Sequence, residues 1–406
     1  MPDTFTYKVR DRGGKVVEGQ LESDSVALVA GKLRSMGYTP ISIDRKDTGG
    51  LKTEIKIPGL SGRIKQKDVA VFSRQFATMI NSGLTLLRSL SILAQQTENK
   101  ALAKIIDDVR QDVERGSSLS QALARHPKAF SRLYVAMVRS GESGGVLDSV
   151  LLRLASTIEK QVELKRKIKS AMTYPVVVFA MVLMIVTAML VFVVPTFKSM
   201  YTQLGGTLPL PTRMLIAVSN LMKSLWFVIA GAEIGMVVAF KKWIATEGGR
   251  KRWDVIKLKM PIFGVLVHKT ALARFSRTLA ALVRSGVPIL ESLEIVSDTA
   301  GNDVVARAVR DTQVAVKSGE SLSKPLESHK VFPPMVVQMM AVGEETGALD
   351  EMLDKIADFY DSEVEATVEA LTSIIEPVLI VVMGGCVGGM VISLYMPLFN
   401  IIKLIK

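Results

Sequence analysis

The side chains in this chain best placed to do chemistry are carboxylates beside glycines, and they occur twice. Gly141-Glu142-x-x-Gly145-x-Leu147-Asp148 returns as Gly343-Glu344-x-x-Gly347-x-Leu349-Asp350, 202 positions later. A glycine-rich turn beside an acid could cradle a phosphate, hold a cation or dock a partner. A phosphate cradle needs Gly-x-x-x-x-Gly-Lys-Ser/Thr, whose lysine reaches the phosphates. That pattern is absent from the sequence, and the turn at 141–145 has no lysine. His126, His268 and His329 are scattered, without metal-ligand spacing or a Ser/His/Asp constellation. The one cysteine, Cys386, sits inside an apolar run, which excludes an intrachain disulfide and argues against thiolate chemistry. Two readings of the Gly-Glu pairs stand: a helix cap beside a solvated carboxylate, or a docking loop present on each of two copies. The residues predict no covalent chemistry.

Two further carboxylates, Glu233 and Glu376, stand in apolar runs. A charge at bilayer depth costs at least about 2.5 kcal/mol, so each either has a buried partner or snorkels towards an interface. The runs themselves predict three membrane spans. Residues 170–197, bracketed by Lys169 and Lys198, are 28 residues without a charge. At about 1.5 Å per residue they exceed a hydrocarbon core about 30 Å thick. Residues 214–240, interrupted by Lys223 and Glu233, form the second span, and residues 371–402, entered by Glu376-Pro377, the third. Gly384, Gly385, Gly388 and Gly389 make two overlapping Gly-x-x-x-Gly pairs there, a small-residue face that lets another helix approach closely.

Charge sets the orientation. Thirteen Lys and Arg flank the spans on one side and four on the other, which puts the N-terminus and both repeats in the cytoplasm and the C-terminus outside. Glu363, Glu365 and Glu369 before the third span would alone reverse it, but two preceding crossings and the duplication overrule them. The net charge of +12 concentrates at residues 160–169 and 241–259, both abutting apolar runs. Lipid headgroups explain that excess better than nucleic acid does. The first 30 residues are charged and mixed, so no cleaved signal peptide is expected.

The chain repeats itself. Residues 72–90 (FSRQFATMINSGLTLLRSL) return at 275–293 (FSRTLAALVRSGVPILESL), Gly116-x-Ser118-Leu119-Ser120 returns as Gly319-x-Ser321-Leu322-Ser323, and Pro175 returns as Pro377. Each copy reads as about six helices. Val69, Phe72, Phe76, Met79 and Ile80 share one face at 3.6-residue spacing. Gly83 is placed for a left-handed stop, Thr85 for a capping hydroxyl, and Pro288 for a first helical position. Residues 1–44 form a separate ββαβ module. Strands at 5–10 and 16–21 are joined by Asp11-Arg12-Gly13-Gly14, a helix at 26–36 uses Val26, Val29 and Leu33, and a third strand covers 39–43. A linker at 45–54 follows. Helical domains are expected at 55–169 and, with a connector, at 241–370, and an external loop at 198–213. The fold class is an all-α membrane protein carrying a small α+β module.

The duplicated Ser-Gly helical motif, the Gly-Glu-x-x-Gly-x-Leu-Asp loop, and Tyr174-Pro175 and Glu376-Pro377 at span entries together resemble the PilC/GspF family. These are inner-membrane platform proteins of type IV pili and type II secretion. The resemblance covers residues 55–406, and the N-terminal module also looks like the one preceding the first repeat in that family. It implies a hexameric motor ATPase at the cytoplasmic domains, docking at Gly141, Glu142, Gly343 and Glu344. It further implies pilin or pseudopilin subunits in the membrane, other inner-membrane assembly components, and a homo-oligomer. Glu233, Glu376, Pro377 and the four glycines would then meet a neighbouring protomer or an arriving pilin. Some members hold a divalent cation on carboxylates of the first domain. The matching positions are Glu98 and Glu142, with Val146 where a third acid would help and Gly301 opposite Glu98. No other cofactor, enzymatic activity or direct nucleic-acid contact is implied. A transporter would need more spans, and a membrane-anchored signalling protein a larger outer loop. A cysteine at Thr207 is expected to react with an impermeant thiol reagent in intact cells (outer membrane permeabilised if present), and one at Asn302 not to. The reverse pattern would overturn the orientation.

Overall fold

The computed structural model describes residues 3–10, 16–23, 26–45, 63–203, 209–261 and 263–404. It comprises two compact units, Met1–Ser61 and Gly62–Lys406. In the first, β1 (Asp3–Arg10), β2 (Val16–Ser23), α1 (Val26–Ser35) and β3 (Thr39–Arg45) form an antiparallel sheet of order β2-β1-β3 covered by one helix. Alternation along β1 sends Phe5 and Val9 to one face, where they meet Val29 and Leu33, one turn apart on α1. Gly37, at φ 83°, ends that helix. Val26, expected on the apolar face, is exposed instead. Of the linker expected at 45–54, Arg45 instead closes β3, and the rest lies outside the described residues, as does the hairpin turn at 11–14.

The second unit contains both repeats. Copy one comprises α2 (Gln66–Asn81), α3 (Leu86–Gln96), α4 (Lys100–Glu114), α5 (Leu119–Ala124), α6 (Arg132–Gly144) and α7 (Leu147–Ala188). A π-turn (Met189–Val193), α8 (Val194–Gln203), α9 (Leu210–Ala245) and α10 (Glu247–Lys259) follow. Copy two comprises α11 (Phe263–Arg284), α12 (Ile289–Thr299), α13 (Asp303–Lys317), α14 (Ser323–Glu327), α15 (Pro334–Thr346) and α16 (Leu349–Leu404). Each copy is organised around one aromatic pair. Phe72 of α2 lies 5.7 Å from Phe130, and its repeat equivalent Phe275 lies 4.9 Å from Phe332. Tyr134 is fully buried beside Phe130, and burial pushes its phenol well above the ordinary tyrosine range. Its oxygen accepts a hydrogen bond from Ser73 Oγ at 3.3 Å.

Both long helices contain an internal proline (Pro175 and Pro377) yet run unbroken for 42 and 56 residues. At about 1.5 Å per residue these are rods of about 60 and 85 Å. The first span differs at its far end: through the π-turn and α8 the chain stays helical to Gln203, so 198–203 of the expected outer loop are helical. No proline or glycine interrupts it between Pro195 and Gly205, which removes the reason for an earlier stop. Likewise α9 begins at Leu210 behind Pro209 and continues, through a kink at Leu225 (φ −116°, ψ 20°), to Ala245, longer than the apolar run alone implied.

Gly83 adopts φ 85° as expected. Thr85 occupies the cap of α3 but its hydroxyl makes no capping bond, and Pro288 is itself the cap of α12 rather than its first helical residue. Phe76 is fully buried in copy one while Val71, on the same helix, is exposed. Phe76→Ala is expected to cost about 3–5 kcal/mol and Val71→Ala less than about 0.5 kcal/mol, read as unfolding monitored by circular dichroism in detergent.

Candidate functional site

The two duplicated motifs turn out to be one structural device. Gly116 (φ 95°) turns the chain into α5, and Ser118 caps that helix. Glu142, on the last turn of α6, completes the cap: its carboxylate accepts from the amides of Leu119 (2.5 Å) and Ser120 (2.9 Å). In copy two, Glu344 accepts from Leu322 at 2.8 Å and Ser323 at 3.4 Å. Anionic oxygens are stabilised there because the first amides of a helix have no partner within it. The preceding glycine serves close packing. A Cβ on Gly141 would stand 3.1 Å from Val150 Cβ, and one on Gly343 2.9 Å from Leu349 Cα. Within the repeated Gly141–Gly145 and Gly343–Gly347 segments the helix breaks at the last glycine, Gly145 and Gly347, both left-handed. Glu142 is therefore not a solvated carboxylate but half-buried and held by backbone.

A second duplicated contact joins the first and last helices of each copy. Arg74 Nε donates to Glu159 at 2.7 Å, and the aligned pair is Arg277 with Asp361 at 2.6 Å. Arg277 is nearly buried and gathers Asp358 (2.7 Å) and Asp354 (3.6 Å) as well. The sequence reading missed this pair, although Arg74 and Arg277 stand in the repeated Phe-Ser-Arg and Glu159 and Asp361 keep the 202-residue offset.

The copies meet along an ionic seam. From α6, Arg132 bonds Asp298 (2.6 Å) and Glu294 (2.7 Å), Arg139 bonds Glu291 (3.3 Å), and Ser140 Oγ donates to Ser285 O at 2.5 Å. From α7, Arg153 donates to the Arg284 carbonyl at 2.6 Å. Lys160 meets Asp358 at 3.2 Å and Lys167 meets Glu365 at 2.5 Å. Both pairs advance by seven residues, so α7 and α16 lie parallel. Burial alone would raise the Asp358 carboxyl, but Arg277 and Lys160 hold it below its ordinary value. Arg284 does the same for Asp350.

Beyond the bundles, three helices are long and apolar enough to cross a membrane. They meet at the end far from the bundles, where Leu190, Val194, Ile216, Met390 and Leu394 pack together. Thr212 Oγ1 donates to Ser393 O and Ser219 Oγ to Leu190 O, each at 2.5 Å. Leu190 lies in the π-turn, so a hydroxyl from the next helix bonds a carbonyl where the regular helical pattern is interrupted. Glu233 and Glu376 are exposed on their helices, with Pro377 beside the latter, and neither carboxylate has a partner among the described residues. Gly384, Gly385, Gly388 and Gly389 have nothing within 4 Å of their Cβ positions.

The two matching cation positions have different neighbours. Glu142 is occupied by amides, while Glu98 lines a different cleft with Lys65, Asp68 and Asn99. Among the described residues no three His, Cys, Asp or Glu side chains converge on one point. In copy two, Gly301 has φ 76°, and a Cβ there would stand 2.7 Å from an Arg274 nitrogen, so that copy places a cation where copy one has Glu98.

Fold and contacts together define a membrane-embedded helical scaffold built from a tandem repeat. The chain belongs to the type II secretion system protein F family: that family's domain matches residues 72–195 and again 275–397, and its N-terminal domain matches residues 1–44. It is 47% identical over 400 residues to the type IV pilus assembly protein PilC of Thermus thermophilus, covering 98% of both chains. It is 43% identical to PilC of Myxococcus xanthus over 98% of this chain and 94% of that one. It is also 34% identical to the type II secretion system protein F of Pseudomonas aeruginosa, over 99% of each.

Because the folded-state value of Asp358 is depressed, its contribution is complete above the ordinary carboxyl range and is lost as pH falls through the lower folded value. The seam is therefore expected to hold at neutral pH and to loosen below about pH 4. Arg132→Glu should weaken it at pH 7 and Arg132→Glu with Glu294→Arg should restore it, read as hydrogen exchange at α6 and α12.

Proposed function

We propose that this chain is the inner-membrane platform of a type IV pilus or type II secretion machine. In this role it couples a cytoplasmic hexameric motor ATPase to insertion or extraction of pilin or pseudopilin subunits. Its N-terminus and both bundles face the cytoplasm and its C-terminus lies outside. The observation that carries the reading is mechanical. In each repeat the helix that closes the bundle is also the helix that enters the apolar span, without a joint. A torque applied to a bundle reaches the membrane through a continuous rod, while a hinged linker would dissipate it. The names of near-full-length relatives, pilus assembly and secretion proteins alike, support the same setting, and the higher identities to the named pilus relatives favour a pilus.

The chain's part is structural and not catalytic. The ATPase acts on the cytoplasmic surface, which includes the turns at Gly141-Glu142 and Gly343-Glu344. In the membrane, Glu233, Glu376, Pro377 and the glycine face of α16 receive a neighbouring protomer's span or a pilin. The purified protein is expected neither to bind nor to hydrolyse ATP, but to co-purify with the motor ATPase and to change its turnover. Unchanged turnover together with solute flux in liposomes would replace the platform with a transporter.

A further inference from the structure

The repeat makes one contact inside the chain whose counterpart is left open. Within the seam, α6 of copy one packs on α12 and the turn before it in copy two. By the repeat's register the equivalent elements are α15 of copy two and α3, with the turn before it, of copy one. Both are uncovered. Leu84 is 36% exposed where its counterpart Val287 is 6% exposed, and Met335 is 36% exposed where Leu133 is 4% exposed. Ser82 is likewise exposed where Ser285 is buried.

The chemistry of the open faces departs from that of the seam on both sides. Arg132, Arg139 and Ser140, the polar residues that α6 uses in the seam, become Pro334, Ala341 and Val342 on α15, with Val342 50% exposed. The acids that receive them, Glu291, Glu294 and Asp298, become Arg88, Ser91 and Gln95 on α3, flanked by exposed Leu84 and Leu87. Both halves of the ionic contact differ together: apolar groups replace the arginines on α15, while a cation and two neutral polar groups replace the acids on α3. Scattered exposed hydrophobics need no explanation, but a patch replacing polar residues on a known contact face does.

We propose that α15 of one chain docks on α3 and the α2–α3 turn of a second copy, repeating between molecules the contact that α6 makes with α12 within one. The parallel run of α7 and α16 makes this compatible with a membrane. The operation relating the copies turns about an axis along the membrane normal, so applying it again leaves the next chain in the same bilayer with the same orientation. The contact is head-to-tail, and such contacts close into rings when the rotation permits. It follows from the repeat alone, whatever machine the chain serves.

The register chooses the probe positions: Ser140 Oγ lies 2.5 Å from Ser285 O, so Val342 should approach Ser82 of the neighbour. In a Cys386→Ala background, full-length chains carrying Ser82→Cys with one tag and Val342→Cys with another are co-expressed and oxidised in membranes. The expected result is a disulfide-linked band carrying both tags, absent when both chains carry the same substitution. Adding Leu84→Asp to the Ser82→Cys chain should abolish the band without lowering that protein's melting temperature. Absence of the two-tag band overturns the proposal. So do same-site bands alone, which would mean a two-fold contact, and crosslinks of Val342→Cys only to a different protein, which would assign the face to that partner.

Discussion

The hydrocarbon core of a bilayer offers no water to a peptide group, so a crossing chain must satisfy its amides within its own helix. That constraint fixes α7 and α16 as helices through the membrane, and the rest of the structure depends on what lies at their other ends. Each begins as the closing helix of a helical bundle, pinned to the first helix by the duplicated Arg74–Glu159 and Arg277–Asp361 pairs. Bundle and span are therefore one object. The internal prolines do not break this continuity, in keeping with their tolerance in membrane helices where neighbouring groups compensate a lost hydrogen bond.

Duplication supplied two copies of one fold, and divergence acted on their surfaces. The interiors kept equivalent aromatic pairs, equivalent glutamate caps and equivalent left-handed glycines, because packing density leaves little freedom there. The outer faces of α6 and α12 are oppositely charged and joined, while that of α15 is apolar and that of α3 mixes a cation and polar groups with exposed leucines. A parallel tandem repeat whose two contact faces differ is asymmetric by construction. Its remaining faces then differ in chemistry from the ones already used, which lets a partner distinguish an open face from an occupied one.

Much of this was legible in the sequence because it is local or periodic. The three spans follow from charge-free length, the repeats from fixed offsets, and the ββαβ module from alternation and glycine placement. The glutamate caps were not legible as caps. Glu142 meets Leu119 and Ser120, 23 and 22 residues earlier in the chain, and no helical periodicity links them. The only trace was that the Gly-x-Ser-Leu-Ser and Gly-Glu motifs recur together. Thr85 and Pro288 show the opposite error: a good local propensity names the cap position without deciding which group makes the bond. The ends of α8 and α9 were misjudged because hydropathy marks where a helix can sit in lipid, not where its backbone stops.

The seam and the membrane junction lie at opposite ends of the long helices, and between them the spans share little. Ionic contacts tie α7 to α16 near the bundles, while the small cluster around Leu190, Ile216 and Met390 ties all three spans at the far end. Among the described residues the intervening stretch of α9, including Glu233, is largely exposed, and the Cβ positions on the glycine face of α16 have no neighbour within 4 Å. Close helix contact in lipid is driven by fit and by polar groups finding partners, not by apolarity. On α16 a bare small-residue face thus accompanies Glu376, a carboxylate without a partner among the described residues. Clamping at both ends fixes that surface in position relative to the bundles.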